Sequence, residues 1–329
     1  MPTRRRAVVV LLALVILAMV SLGVALAAGS ITVVYGDILS ILFGGPDTLA
    51  TEIIRGLRLP RAMGAFACGG LLALAGALMQ VLLRNPLADP YVLGISGGAA
   101  VGALAAMLAG LALAFINLFA FTGAFVAMTL VFGLAHGDNS WTRTRLLLTG
   151  VIVAAGCGAV VALILSVAPE AKLRGMLFWL MGDAGHVSNP WPALVLLVLG
   201  VLAALPFARE LNLLSRGDVL AQSLGVSVRN IKRIVYLLAS LFTAVAVTTA
   251  GSIGFIGLVV PHLMRMAIGN DQRLLLPASA LAGGSLLVLA DTLARTIVAP
   301  QQLPVGVLTA LLGVPVFLFL LGRQPGGRS

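Results

Sequence analysis

The 329-residue sequence predicts an all-α integral membrane protein, a bundle of about ten transmembrane helices. Three observations carry that expectation. Sixty per cent of the residues are hydrophobic, 10% are charged and the mean hydropathy is +1.11, whereas a soluble domain carries roughly 25% charged residues. Apolar runs near the ~20-residue length that crosses a bilayer as a helix recur along the whole chain. None of them shows the ~10-residue alternation of a membrane β-barrel, so the backbone must satisfy its hydrogen bonds within helices.

The runs lie at 7–29, 62–83, 92–111, 113–134, 146–168, 191–208, 234–250, 253–268, 274–298 and 305–322. The first follows Arg4, Arg5 and Arg6, and Ala25-Leu26-Ala27 resembles a signal cleavage site. Its length exceeds the ~7–15 residues of a signal core, so it reads as an uncleaved anchor. The second opens behind Arg58 and Arg61. The fifth carries small residues, Gly150, Ala154 and Gly158 among them, which suit close helix packing. The eighth is short and rich in Gly and Pro, so it reads as a half-span. Between the sixth and seventh lies the longest conspicuously polar stretch, 209–233. It is too short for a core of its own and too regularly apolar for a disordered linker. The whole of 1–329 therefore reads as one transmembrane domain with a cytoplasmic segment at 209–233.

Orientation follows from charge. With the N-terminus in the cytoplasm, ten spans return the C-terminus there. Fifteen of the 21 lysines and arginines then fall on the cytoplasmic side and six outside, while the 11 acids divide almost evenly. This is the expected positive-inside bias. The net charge of +10 is thus a product of topology, and nucleic-acid binding is not needed to explain it. Ten spans also make span n and span n+5 antiparallel, which permits an inverted repeat, although no residue-level match joins the halves.

Several chemistries are excluded or disfavoured. Cys68 and Cys157 sit among Gly and Ala and read as buried packing residues. His136, His186 and His262 have no further His, Cys or carboxylate at ligand spacing, so no metal site is expected. Neither lysine is followed by Ser or Thr, so the chain has no P-loop and is not its own ATPase.

Four features remain informative. In Arg84–Ala99, Asn85 and Asp89 suit turns and caps, Pro86 and Pro90 stop helix continuation, and Gly94 opens a glycine-rich run. That pattern fits a tight re-entry turn feeding a closely packed helix as well as it fits a functional loop. Arg58 and Arg61 share a helical face at the outer mouth of span two, with Arg295 at matching depth, either as interfacial anchors or as a recognition group. Asp291 precedes Arg295 by four residues, a spacing that predicts an ion pair along the helix. In 209–233, Leu211, Leu213, Leu214, Val219, Leu220 and Leu224, with Asp218 and Ser215 as candidate caps, predict two short helices divided at Gly217 and stopped at Gly225. Such a pair could lie on anionic lipid or dock another protein. The two glycines weaken a lipid-lying helix and favour docking.

The motifs Arg58-Leu59-Pro60-Arg61, Asn85-Pro86-Leu87-Ala88-Asp89-Pro90, Phe178-Trp179-Leu180-Met181-Gly182-Asp183, the run Gly251 to Pro261-His262, Ala290-Asp291-Thr292-Leu293-Ala294-Arg295 and Leu303-Pro304-Val305-Gly306 occur in this order. Together they resemble the FecCD family, permease subunits of ABC importers for iron–siderophore, haem and cobalamin, along nearly the whole chain. The resemblance implies a type II ABC importer permease, non-catalytic and without a cofactor in this chain, in a bacterial inner membrane. It implies a homodimer, a cytoplasmic ATPase dimer that uses ATP and Mg, a periplasmic binding protein and a metal-chelate cargo. On the same basis Arg58, Arg61 and Arg295 would meet the binding protein, and Leu213, Asp218, Leu220, Leu224 and Gly225 would couple to the ATPase. Gly150, Ala154 and Gly158 would line the path, with Asn139 and Ser140 near its inner gate, while Pro261 and His262 would be structural. The rival reading is a proton-coupled secondary transporter. It would need buried carboxylates near the midplane, for which only Asp291 is a candidate.

Overall fold

The computed structural model describes residues 4–29, 38, 41, 48–135 and 143–323. Along them run α1 (Arg4–Ala27), α2 (Leu49–Ile53), α3 (Leu59–Leu83), α4 (Ile95–Leu108), α5 (Leu113–Ala135), α6 (Arg143–Val167) and α7 (Glu170–Met181). They continue as α8 (Trp191–Ala204), α9 (Ala208–Arg216), α10 (Asp218–Ser223), α11 (Val228–Ala250), α12 (Ile256–Ile268), α13 (Gln272–Thr296) and α14 (Val305–Arg323). Each of the ten expected spans has a helix, and among the described residues the fold is all-α. Segments 49–58 and 170–181 are helical as well, outside the ten runs read from hydropathy.

The bundle is built around α3. Nearly every residue from Ala62 to Leu83 is buried, and the helix packs against α8, α11, α12 and α13. Its Ala- and Gly-rich sequence is the cause. Without a hydrophobic drive between helices in lipid, association depends on close backbone approach, which small residues permit. A side chain on Gly69 would overlap the Gly283 carbonyl of α13, and one on Gly76 would overlap the Gly257 carbonyl of α12. By contrast α1 and α6 are mostly uncovered by the rest of the chain, 22% and 6% buried over their apolar windows.

Two spans are half-helices flanked by irregular chain, whereas the 14 residues of α8 continue through a 3-10 turn at Leu205–Phe207 into α9. At ~1.5 Å per residue, the 14 residues of α4 and the 13 of α12 rise only about 20 Å, short of a hydrocarbon core of ~30 Å. The eighth span was expected to be short. The third, expected as a full helix over 92–111, is interrupted too. In both cases non-helical chain supplies the missing depth. After Arg84 the chain folds back alongside α3. Asn85 Oδ1 accepts the Leu87 N–H at 2.9 Å, and Asp89 Oδ1 caps the 3-10 turn Pro90–Leu93 by accepting the Tyr91 N–H at 2.8 Å. Gly94 turns with φ 72 into α4.

Pro90 packs against Gly257 and Gly257 against Gly76, seven residues or about 10 Å above the inner end of α3. The second interruption, 251–255, meets the first at this depth. The Ile253 N–H donates to the Tyr91 hydroxyl at 2.9 Å, and the Ser96 and Ser252 hydroxyls lie 2.9 Å apart. Irregular backbone is tolerated within a membrane only where protein or water satisfies it, and here each interruption is enclosed by the other and by neighbouring helices. The third and eighth spans lie five apart and run in opposite directions, the register of an inverted repeat. Among the described residues the two non-Gly positions with left-handed backbone, Arg84 (φ 48) and Phe255 (φ 70), begin one interruption and end the other.

Pro261 accounts for a further contact. Lacking an N–H, it leaves the Gly257 carbonyl without its helical donor. Gln80 of α3 fills the gap, its Nε2 donating to the carbonyls of Gly257 at 3.2 Å and Leu258 at 3.1 Å. We expect Gln80→Leu, which keeps the volume but removes the donor, to cost about 1–3 kcal/mol. Denaturant unfolding of the detergent-solubilised protein reads this loss, and unchanged stability would show that the carbonyls need no such donor.

Candidate functional site

At the outer end, the π-helical turn Ile54–Arg58 runs directly into α3 and projects Arg58 and Arg61. Arg295 arrives on the last turn of α13. All three arginines line one open cleft of about 520 Å³, with Asp183, His186 and Gln302. The sequence expectation that they share a depth is met. They are also engaged within the chain. Arg58, 6% exposed, donates through Nη1 to the carbonyls of Leu26 at 2.7 Å and Ala27 at 3.1 Å. Arg295 Nη2 donates to the carbonyl of Ala25. Two cations thus cap the C-terminus of α1, where unsatisfied carbonyls and the helix dipole favour positive charge.

The Asp291–Arg295 ion pair is replaced by another. Asp291 instead receives both arms of the Arg61 fork, Nε at 2.8 Å and Nη2 at 2.9 Å. Arg61 Nη1 also donates to Gln302 Oε1 at 2.9 Å, and Asp183 lies 3.7 Å away. The physical reason is geometric. Arg61 meets the carboxylate head-on across the α3–α13 contact as a bidentate pair, which a neighbour on the same helix does not match. Arg295 is drawn instead to the end of α1. Asp183 is held in place by its own loop, its Oδ1 accepting the Gly185 N–H at 2.7 Å.

Along α6 the small residues divide between two faces. Gly150 is buried against the Val92–Leu93 backbone, and Ala154 lies beside Gly94, so both serve to seat the re-entrant turn rather than to form an open wall. Gly158 has no neighbour within 4 Å of its missing side chain and lies on the uncovered face. Asn139 and Ser140 lie outside the described residues. Pro261 and His262 lie within α12.

At the inner end, 209–233 forms the expected two short helices, α9 and α10, meeting at Gly217 (φ 144) and stopped at Gly225 (φ 81). Their apolar residues sort into two sets. Leu211, Leu214 and Ala221 are buried against the bundle, while Leu220 is 43% and Leu224 52% exposed. Val219, part of the apolar pattern but not among the residues singled out for coupling, is 82% exposed and the most uncovered of this segment. An apolar residue beside Leu220 in the first turn of a polar helix was the available signal. Leu213 is half-buried, lining a cleft of about 260 Å³ with Leu224, Val226 and Glu210. Asp218 is not the cap of α10. Its carboxylate pairs with Arg84 and, at 2.9 Å, with Lys232 Nζ. The two cations outbid a local backbone N–H for a partly buried carboxylate. Among the described residues no three His, Cys, Asp or Glu side chains cluster as a metal site.

The model of the FecCD transport family matches residues 13–323. The hemin transport system permease protein of Yersinia pestis is 46% identical over 283 residues, covering 83% of this chain and 84% of the relative. The cobalamin import system permease protein of Halobacterium salinarum is 43% identical, covering 85% and 75%. The Fe(3+) dicitrate transport system permease protein of Escherichia coli is 38% identical, covering 87% of each. Among solved structures, an inward-facing conformation of a metal-chelate-type ABC transporter superposes with a TM-score of 0.83 at 30% identity, covering 97% of this chain and 100% of that one. PsaBC from Streptococcus pneumoniae, at 16% identity and a TM-score of 0.55, shares the fold.

Proposed function

The chain belongs to the FecCD transport family and is a multi-pass permease subunit of an ABC importer of the metal-chelate, haem or cobalamin type; on that premise we propose that it works as one transmembrane unit, 1–329, in a bacterial inner membrane. A second copy completes the translocation path. A periplasmic binding protein delivers an iron–siderophore, haem or cobalamin at the outer cleft of Arg58, Arg61 and Arg295. A cytoplasmic ATPase dimer, with ATP and Mg, drives transport through α9 and α10. The chain itself performs no covalent chemistry: its task is conformational.

The observation that carries this reading is the inner segment. A two-helix element projects Val219, Leu220 and Leu224 from the cytoplasmic face of a chain that has no phosphate-binding loop. Exposed apolar side chains on a rigid mount form an interface for a protein, and the energy source must be another chain. The uncovered face of α6, with Gly158, supports a wall completed by a partner copy. Small, weakly polar walls suit a large chelate that must pass without sticking.

The test is Leu220→Asp in the reconstituted complex. Burying a carboxylate in an interface hot spot costs about 2 kcal/mol or more, so association with the ATPase should weaken by ~30-fold while membrane insertion is unchanged. Stimulation of ATP hydrolysis by the loaded binding protein should vanish with it. Unimpaired stimulation would sink the docking assignment. Presenting candidate binding proteins loaded with siderophore, haem or cobalamin to the wild-type complex identifies the cargo by which of them stimulates hydrolysis.

A further inference from the structure

The inner segment is bolted to two helices in particular. Arg84, the first residue beyond α3, donates through Nε to the Leu214 carbonyl of α9 at 2.9 Å and pairs through Nη2 with Asp218 of α10. On the other side Asn212 of α9 bonds reciprocally to the start of α13. Its Nδ2 donates to Asp271 Oδ1 at 2.9 Å, and its Oδ1 accepts the Gln272 N–H at 2.9 Å. The same two helices form the outer cleft. There α3 carries Arg61 and α13 carries Asp291 and Arg295, joined by the Arg61–Asp291 fork. Between the ends, α3 and α13 touch through backbone at Gly69 and Gly283, and Gly284 sits against Phe66. Arg61 and Arg84 thus stand near the two ends of one continuous 25-residue helix, and Asp271 to Asp291 is the antiparallel strut beside it.

Helices locked at both ends and in direct backbone contact at the middle move as one body, because packed interiors shift between discrete arrangements rather than deform continuously. The geometry points to the α3–α13 pair as the body that transmits between binding protein and ATPase, with Arg84 and Asn212 as the positioning residues that fasten the inner segment to it. This rests on the reading of the outer cleft and of α9–α10 given above. Arg84 is suited to the task because its planar fork reaches two helices at once, which an ammonium cannot do with the same fixed geometry. Its left-handed backbone places it at the start of the re-entrant turn, whose Val92–Leu93 backbone seats against Gly150 of α6. A shift of α10 is therefore communicated both along α3 to the outer cleft and through the turn to α6.

The experiment reconstitutes the permease with its ATPase in nanodiscs, with and without loaded binding protein. Wild type is compared with Arg84→Gln, Arg84→Lys and Asn212→Ala. Arg84→Gln and Asn212→Ala are expected to keep ATPase association and basal hydrolysis within about two-fold of wild type. Stimulation by the binding protein should fall about five-fold or more, the span of a typical coupling free energy. Arg84→Lys, which retains a charge for Asp218 but not the fork, should fall between. Full stimulation in both Arg84→Gln and Asn212→Ala overturns the inference, and should Arg84→Gln fail to fold, the Asn212→Ala result alone decides. A wild-type complex that assembles but is not stimulated overturns the functional reading and the inference with it, whereas a stimulated wild type with equally stimulated variants overturns only the inference.

Discussion

Asp291→Ala is expected to destabilise the protein by about 3–5 kcal/mol, the cost of stranding a buried charge when its partner is removed. Asp291 is 3% exposed, and the Arg61 side chain that it holds is 13% exposed. Without the carboxylate, Arg61 retains Gln302 and the more distant Asp183, neither of which replaces a bidentate pair. The loss should appear in denaturant unfolding of the solubilised permease. Arg61→Leu combined with Asp291→Leu should recover much of it, since apolar replacement of a whole buried pair is often close to neutral. Arg295→Gln discriminates between partners. Were Asp291 paired along its own helix, that variant would match Asp291→Ala, whereas pairing with Arg61 predicts a much smaller effect.

Gly76→Val is expected to prevent the bundle from closing. Its Cβ would overlap the Gly257 carbonyl, a backbone atom that cannot swing aside, so α3 and α12 must separate. Overpacking of this kind costs about 1–3 kcal/mol or more. The separation also removes Gln80 from the Gly257 carbonyl, which Pro261 leaves without a helical donor. Gly158→Val is the control, because nothing lies within 4 Å of that position. Size-exclusion profiles of fluorescent fusions in detergent should show Gly76→Val aggregated and Gly158→Val monodisperse. A monodisperse Gly76→Val would show that the α3–α12 contact is looser than the structure has it.

The spans were legible because hydropathy reports directly on the solvent that each helix must meet. So was the division of 209–233 into two helices, since Gly217 and Gly225 both take left-handed backbone that disfavours other residues. The outer arginines were legible as a group, but their partners were not. Residues 61 and 291 are distant in sequence, so the four-residue spacing to Arg295 was the only pairing a linear reading could offer. The interruption of the third span was hidden for a similar reason. Tyr91, Val92 and Leu93 are apolar enough to extend a span, and only the contact of Pro90 with Gly257 shows that this stretch is a turn at membrane depth. Arg84 and Asn212 escaped notice because a lone polar residue at a helix end reads as solvation until its partners are known.

The enclosure of α3 has a consequence for life in different bilayers. A helix with 94% of its apolar window buried within the protein touches almost no lipid. Hydrophobic mismatch acts through lipid contact, by tilting a helix or by thinning or thickening the membrane around it. Changes in bilayer thickness must therefore fall on the periphery, on helices such as α1, while the tilt of the central mast is set by the glycine contacts that hold it.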